Sequence, residues 1–187
     1  VKLETEYGTV VIKLYNKTPL HRDNFIKLVK QHFYDSLLFH RVISGFMIQG
    51  GDPESKYAKA GATLGEGGLK YTLAPEFDTA LFHKKGALAM ARTDNPEKAS
   101  SNCQFYIVQG KVSDDNLLNQ VECSVRQNGN TAFYYTDAQR KIYKTIGGTP
   151  FLDQNYTVFG EIVKGLDVVD KIAALPKDQN DRPLKNI

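Results

Sequence analysis

A mainly antiparallel β barrel or sandwich is the fold class this chain predicts, and three observations predict it. Short apolar runs of strand length recur along the sequence as far as about residue 163. One helical pattern stands early and one late. The strict strand–helix alternation of a doubly wound sheet is absent. A barrel closes its own sheet edges, so its strands can be short and apolar without inviting aggregation.

The elements follow in order. Val1 to Tyr15 reads as a hairpin, because Val10, Ile12 and Leu14 alternate with Val11, Lys13 and Tyr15, and Gly8 supplies the turn. Thr18-Pro19 opens a helix: threonine caps, and proline is tolerated at the first helical position. Phe25, Ile26, Leu28, Val29 and Phe33 give that helix an apolar face. Leu37 to Ile43 and Phe46 to Gln49 read as strands, punctuated by Gly45 and closed by Gly50-Gly51. Residues 53 to 85 are loop-rich, with Gly61, Gly65, Gly67, Gly68 and Pro75 breaking longer elements. Ala87 to Ala91 and Gln104 to Val108 are short apolar strands.

Residues 111 to 150 interrupt this rhythm with a helical insertion. Ser113 followed by Asn116, Leu117, Leu118, Val121 and Val125 reads as one helix, stopped by Asn128-Gly129. Thr136 with Gln139 three residues on is a capping-box signature for a second. Strand character returns at Tyr156 to Val163, and Leu166 to Leu175 reads as a final helix.

With 187 residues the chain fits one domain, 1–187, that carries the insertion. A domain of this size buries roughly 70% of its unfolded surface and folds without disulfides or metal. A hydrophobic content of 41% with 24% charged residues is that of a soluble globular protein. The net charge of +3 is too small and too dispersed to indicate nucleic acid as a partner. No segment approaches the ~18 consecutive apolar residues of a membrane span. The sequence starts at Val1 without methionine or a signal-peptide core, which reads as a processed chain. The compartment stays open, with a bacterial periplasm or cell envelope favoured over cytoplasm if an export signal was removed. Cys103 and Cys123 form no disulfide scaffold, and Cys103 lies in an apolar run as a small buried hydrophobe.

The chemistry concentrates in Phe39-His40-Arg41-Val42-Ile43-Ser44-Gly45-Phe46-Met47-Ile48-Gln49-Gly50-Gly51-Asp52. One arginine stands among aromatic and thioether side chains beside a glutamine and a glycine pair. Such a site binds an apolar group and donates hydrogen bonds, but it offers no evident nucleophile. It suits a reaction in which no covalent bond is broken. Phe46 and Met47 are adjacent and would face opposite sides of a regular strand, so a glycine-flanked bend must aim both at one groove. Gln104 and Tyr106 share a face while Phe105 points into the core. His40 reads as a satisfied structural histidine, and His21, His32 and His83 show neither metal-ligand spacing nor a paired acid. Gly65-Glu66-Gly67-Gly68 lacks the Lys-Ser/Thr of a phosphate loop and reads as a flexible turn.

This block resembles the signature of the cyclophilins, the cyclosporin-binding peptidyl-prolyl cis-trans isomerases. Lys85–Arg92, Asn102–Ile107 and Phe151–Gly160 resemble three further blocks in the family's order. The resemblance spans nearly the whole chain except residues 111 to 150. It implies a closed eight-stranded antiparallel barrel capped by two helices, with a proline-binding groove on its outer face. Arg41 matches the catalytic arginine. Phe46, Met47, Tyr106 and Leu152 match the pocket for the proline ring, and Gln49, Ala91, Arg92, Gln104 and Tyr156 match the groove that contacts the peptide backbone. Phe151 stands where many eukaryotic members carry tryptophan, so an indole donor to cyclosporin is lost. Tyr156 replaces a histidine and Arg92 an asparagine, as in bacterial members; Tyr106 replaces phenylalanine and adds a hydroxyl at the pocket edge.

The implied partners are proline-containing peptides and unfolded or folding proteins, met by a monomer with no cofactor. The alternative is a proline-peptide-binding or chaperone module without significant turnover. Arg41 separates the two, since a pure binder has less reason to keep a charge aimed at the amide nitrogen. The insertion enters just before Phe151-Leu152 and so emerges near the groove rim, either as a lid or docking surface or as a neutral elaboration. Phe133-Tyr134-Tyr135 separates those readings by its exposure.

Overall fold

Side-chain alternation along each strand gives this sheet two different faces, and both are covered. The computed structural model describes residues 1–59 and 61–187. Its elements are β1 (Lys2–Thr5), β2 (Gly8–Leu14), α1 (Pro19–Lys30), β3 (Phe39–Ile43), β4 (Met47–Gly50), β5 (Ala87–Met90), β6 (Phe105–Val108), α2 (Asp115–Gln127), α3 (Asp137–Thr145), β7 (Val158–Lys164) and α4 (Leu166–Ala173). Every strand pairing is antiparallel, in the order β1-β2-β7-β5-β6-β4-β3.

The expected mainly β fold with an early and a late helix is present, but the closed eight-stranded barrel is corrected, among the described residues, to a sheet of seven strands with β1 and β3 as edges. After α4 the chain follows β3 without becoming a strand. Its backbone bonds there are Val42 N–H to Asp181 O at 2.8 Å and Phe39 N–H to Ile187 O at 3.1 Å. Asp178 folds this stretch into a turn by accepting from the backbone N–H groups of Asn180 and Arg182. Asp181 takes a left-handed φ of 62°. Pro183 has no N–H to give a ladder.

The inner face gathers Val10, Ile12, Phe39, Val42, Ile48, Leu88, Met90, Phe105, Ile107 and Phe159 against Phe25 of α1 and Val168, Val169 and Ile172 of α4. The opposite face carries Met47, Ala87, Ala89, Ala91, Tyr106, Val108 and Val158, with Phe46, Leu152 and Tyr156 packed on them. Phe105 and Tyr106 thus point to opposite faces, as the period of two requires. Cys103 is buried as expected and Cys123 is exposed. The insertion has its own apolar core of Leu118, Val121, Val125, Phe133, Tyr135 and Tyr143.

Two helix starts differ from expectation. Thr18 stands at the N-cap of α1 but makes no side-chain bond to it. The carboxylate of Glu76 caps α1 instead, accepting from the N–H groups of Leu20 and His21 at 3.0 Å each. That acid suits the positive end of the helix and satisfies two otherwise orphaned donors. In α2 the cap is Asp114 rather than Ser113, accepting from Leu117 N–H at 2.9 Å. The capping box of Thr136 and Gln139 at α3 is present.

The histidines also need correction. His21 meets Glu76 at 2.7 Å, His32 meets Asp35 at 2.9 Å and His83 meets Asp153 at 2.7 Å, so each of the three has an acid partner. His40 is buried, yet among the described residues neither ring nitrogen has a hydrogen-bond partner. Burial holds His21 and His40 below the usual histidine value of 6.5, with Glu76 and Asp52 respectively pulling the other way. Below that usual value the unfolded chain takes up protons that the folded chain refuses. Stability therefore falls as pH drops through the window between the lowered values and 6.5. Urea midpoints should be lower at about pH 5.5 than at about pH 7.5, and His40→Phe should reduce the difference, leaving the part due to His21, at little cost in stability. Equal midpoints at both pH values would refute this assignment.

Candidate active site

The outer face owes its usable space to small side chains. Ala87 and Ala89 of β5 are fully buried on this face with Met47 and Tyr106, and Ala91, just beyond, lines a depression there. The expected bend occurs: Gly45 adopts φ 76°, a conformation favourable to glycine. The turn ends at Phe46 and β4 begins at Met47, so both side chains reach the same depression. A pocket of about 190 Å³ results, lined by Arg41, Phe46, Met47, Gln49, Ala91, Arg92, Tyr106, Leu152 and Tyr156.

Arg41 and Gln49 sit directly across the β3–β4 ladder and share its outer face. The nearest carboxylate to the Arg41 guanidinium is Asp181, whose Oδ2 lies 3.9 Å from Nε. That loose pair leaves the guanidinium, whose side chain is 43% exposed, available to the pocket. Gln49 donates from Nε2 to Gln104 Oε1 at 3.0 Å, which fixes its amide.

Of the residues expected at the groove, Gln104 and Phe151 lie outside the pocket lining. The Nε2 of Gln104 donates to the carbonyls of Gly65 and Gly67, each at 2.8 Å. The Gly65 N–H also donates to Asp52, so the glycine-rich segment is anchored at three backbone atoms rather than free. Phe151 stands in a short 3₁₀ turn (Pro150–Leu152) at the rim, 51% exposed, its ring 5.6 Å from that of Phe46. Arg92 is fixed as a wall: its Nε donates to Asn155 O at 3.0 Å and its guanidinium lies 4.8 Å from the Tyr156 ring centroid.

The Tyr106 hydroxyl is not at the pocket edge. It turns inward to His83 Nε2 at 3.0 Å, and its ring stacks on the imidazole at 6.0 Å. His83 Nδ1 meets Asp153 Oδ1 at 2.7 Å. A carboxylate only accepts, so Nδ1 carries a proton, and Nε2 shares the second bond with the tyrosine hydroxyl. Asp153 also accepts from His83 N–H at 2.8 Å, and at its other oxygen from the hydroxyls of Tyr135 and Tyr143 at 2.6 Å each. Burial, with the Asp153 charge as the next cause, pushes both of those phenols up, so they stay protonated donors.

Tyr135 and Tyr143 come from the insertion, which the sequence left as either lid or elaboration. Phe133 and Tyr135 are buried and Tyr134 is 63% exposed, so most of the aromatic run is core. His83, Asp153, Tyr135 and Tyr143 were not legible as a group, since their contacts cross up to 70 residues of sequence. Asp153 alone stood inside a recognised block.

Comparison with known proteins identifies the family. The family model for "cyclophilin type peptidyl-prolyl cis-trans isomerase" matches residues 1–187. A peptidyl-prolyl cis-trans isomerase of Acinetobacter baylyi is 38% identical over 180 residues, covering 94% of this chain and 72% of the relative. A Staphylococcus aureus relative bearing the isomerase name is 36% identical over 188 residues, covering 100% of this chain and 87% of its own. In fold, a Cryptosporidium parvum cyclophilin-type isomerase crystallised in the presence of the dipeptide Ala-Pro superposes with a TM-score of 0.70 at 22% identity, covering 99% of this chain and 91% of that one. The chain belongs to the cyclophilin-type peptidyl-prolyl cis-trans isomerases, and its reaction is rotation about X-Pro peptide bonds.

Asp153→Ala would strand His83 N–H, His83 Nδ1–H and the Tyr143 hydroxyl in the interior and leave the Tyr135 hydroxyl its longer bond to Pro150 O at 3.3 Å. Urea unfolding should show a loss of about 3–5 kcal/mol. A loss below about 1 kcal/mol would mean these donors find other acceptors.

Proposed function

We propose that the proline ring of the substrate enters the pocket of Phe46, Met47, Tyr106 and Leu152, and that Arg41 is the catalytic residue. The observation that carries this reading is one guanidinium opening onto a small apolar pocket without a close carboxylate to neutralise it.

Rotation is slow because resonance stiffens the C–N bond, with a barrier of about 18–20 kcal/mol. X-Pro bonds populate cis readily, yet they interconvert over tens to hundreds of seconds unaided. At a twist of about 90° conjugation is broken and the prolyl nitrogen regains a localised lone pair. A donor aimed at that nitrogen binds the twisted amide more strongly than the planar one, which lowers the barrier. Arginine suits the role because it stays charged and holds its donors in one plane. The apolar walls grip the ring while the rest of the peptide turns. Gln49, Ala91, Arg92 and Tyr156 line the path of the peptide backbone, and Gln104 supports it from behind by fixing Gln49. Phe151 offers an aromatic rim without an indole N–H.

Arg41→Ala should lower kcat/KM for a short X-Pro peptide by about 10- to 10³-fold, read by NMR exchange, with unfolding midpoints little changed. Arg41→Lys should recover only part of the rate, because a point charge replaces a planar fork. Equal exchange rates in wild type and Arg41→Ala would remove Arg41 from the mechanism.

A further inference from the structure

Behind the Arg92–Tyr156 wall of the proline pocket lies a second cavity of about 370 Å³. Its lining is Phe77, Lys98, Gln154 and Asn155 from the main body, with Val125, Asn128, Gly129 and Asn130 from the end of α2. The two pockets share a partition, because Asn155, which lines the second, accepts through its carbonyl from Arg92, which lines the first.

The charge in this cavity is one-sided. None of its lining residues is acidic. Among the described residues Lys98 has no carboxylate partner; its ammonium donates to Gln154 O at 3.1 Å and lies 5.8 Å from the Phe77 ring centroid. Two of its three donors are therefore uncommitted. Burial, with the nearby Arg92 charge as the next cause, pulls the Lys98 ammonium below the usual lysine value, which marks a cation short of compensation. Its loop is held in place rather than mobile, since Asn95 bonds the backbone of Ala99 in both directions and that of Thr93.

The negative end of α2 faces this region, but three carbonyls of its last turn are already engaged. Ser124 O accepts from Asn128, Val125 O from Asn130 and Arg126 O from Gly129. The full charge of Lys98 therefore outweighs the partial charge of a capped helix end. Gln154 Nε2 donates to nothing among the described residues and is available beside the ammonium, because the bond between Gln154 and Asn130 uses Gln154 Oε1.

We propose that this cavity is a substrate subsite for a carboxylate side chain, an aspartate or glutamate a few residues from the isomerised proline. It rests on the assignment of the neighbouring pocket to the proline ring. The insertion supplies half of its lining, so an element outside the common family pattern would select substrates for this enzyme. Lys98 and Gln154 would hold the carboxylate, Phe77 and Val125 would pack its methylene stem, and Arg92 would add a second positive charge at the partition.

The test is a set of short X-Pro peptides with glutamate, glutamine or lysine placed in turn at each position from three before to three after the proline. Turnover is read by NMR exchange at low and high salt. At one position the glutamate peptide should show a kcat/KM about 3- to 10-fold above its glutamine twin, with the advantage lost in about 1 M salt. Lys98→Gln should remove that preference and Lys98→Glu should turn it toward lysine. Wild type that treats the three residues alike at every position overturns the subsite while leaving the isomerase intact. A glutamate preference that survives Lys98→Glu overturns it equally, since the selecting charge then lies elsewhere. Failure to turn over any peptide overturns the proline-pocket assignment and the subsite together.

Discussion

The Asp153 carboxylate is the contact on which the arrangement of the site depends. Its side chain is 1% exposed, and an unpaired charge at that depth would cost several kcal/mol. Four donors remove the problem: the backbone N–H and Nδ1–H of His83, and the hydroxyls of Tyr135 and Tyr143. Because a charge in the interior tolerates no missing partner, the four donors and the carboxylate hold one another in a single geometry. The imidazole then presents Nε2 to Tyr106, whose ring is a wall of the proline pocket. A chain of hydrogen bonds thus runs from the insertion to the site.

The insertion is for this reason structural as well as peripheral. Its own core of Phe133, Tyr135 and Tyr143 packs beneath Phe82, and its return to the body is close. At Gly148 a Cβ would sit 2.2 Å from His83 O and 2.6 Å from Tyr143 Cε1, with φ at 159°. Only glycine lets the insertion's last turn lie against the strand leader that carries His83. A segment held by this contact and by two buried hydroxyls does not behave as a free lid.

The pocket itself follows from size complementarity across one sheet face. Ala87 and Ala89 on β5 pack on the same face as Tyr106 of β6 and Met47 of β4, and the depression opens beyond them at Ala91. Gln49 and Gln104 fix its polar side through one amide–amide bond, and Gln104 spends its own donors on the glycine-rich segment. Arg41 is the exception in this constrained neighbourhood, held only by a long pair with Asp181. Rigid walls with one loosely held cation suit a reaction in which the substrate turns and no bond is broken.

Much of this was legible in the amino-acid sequence, because local rules write themselves locally. The period-two alternation placed Phe105 and Tyr106 on opposite faces, the glycine at 45 announced the bend that aims Phe46 and Met47 together, and Thr136 with Gln139 marked a helix start. The family blocks carried Arg41 and the pocket residues for the same reason, since each block is a contiguous strand or turn. What only the tertiary structure decided are the partnerships across long separations. Glu76 caps a helix 55 residues away, His83 finds Asp153 70 residues on, and the Tyr106 hydroxyl turns inward rather than to the pocket. The same holds for the missing eighth strand, where the left-handed Asp181 and Pro183 break the ladder beside β3. A buried polar group must be satisfied by whatever the fold brings near, and no periodicity in the chain records which group that will be.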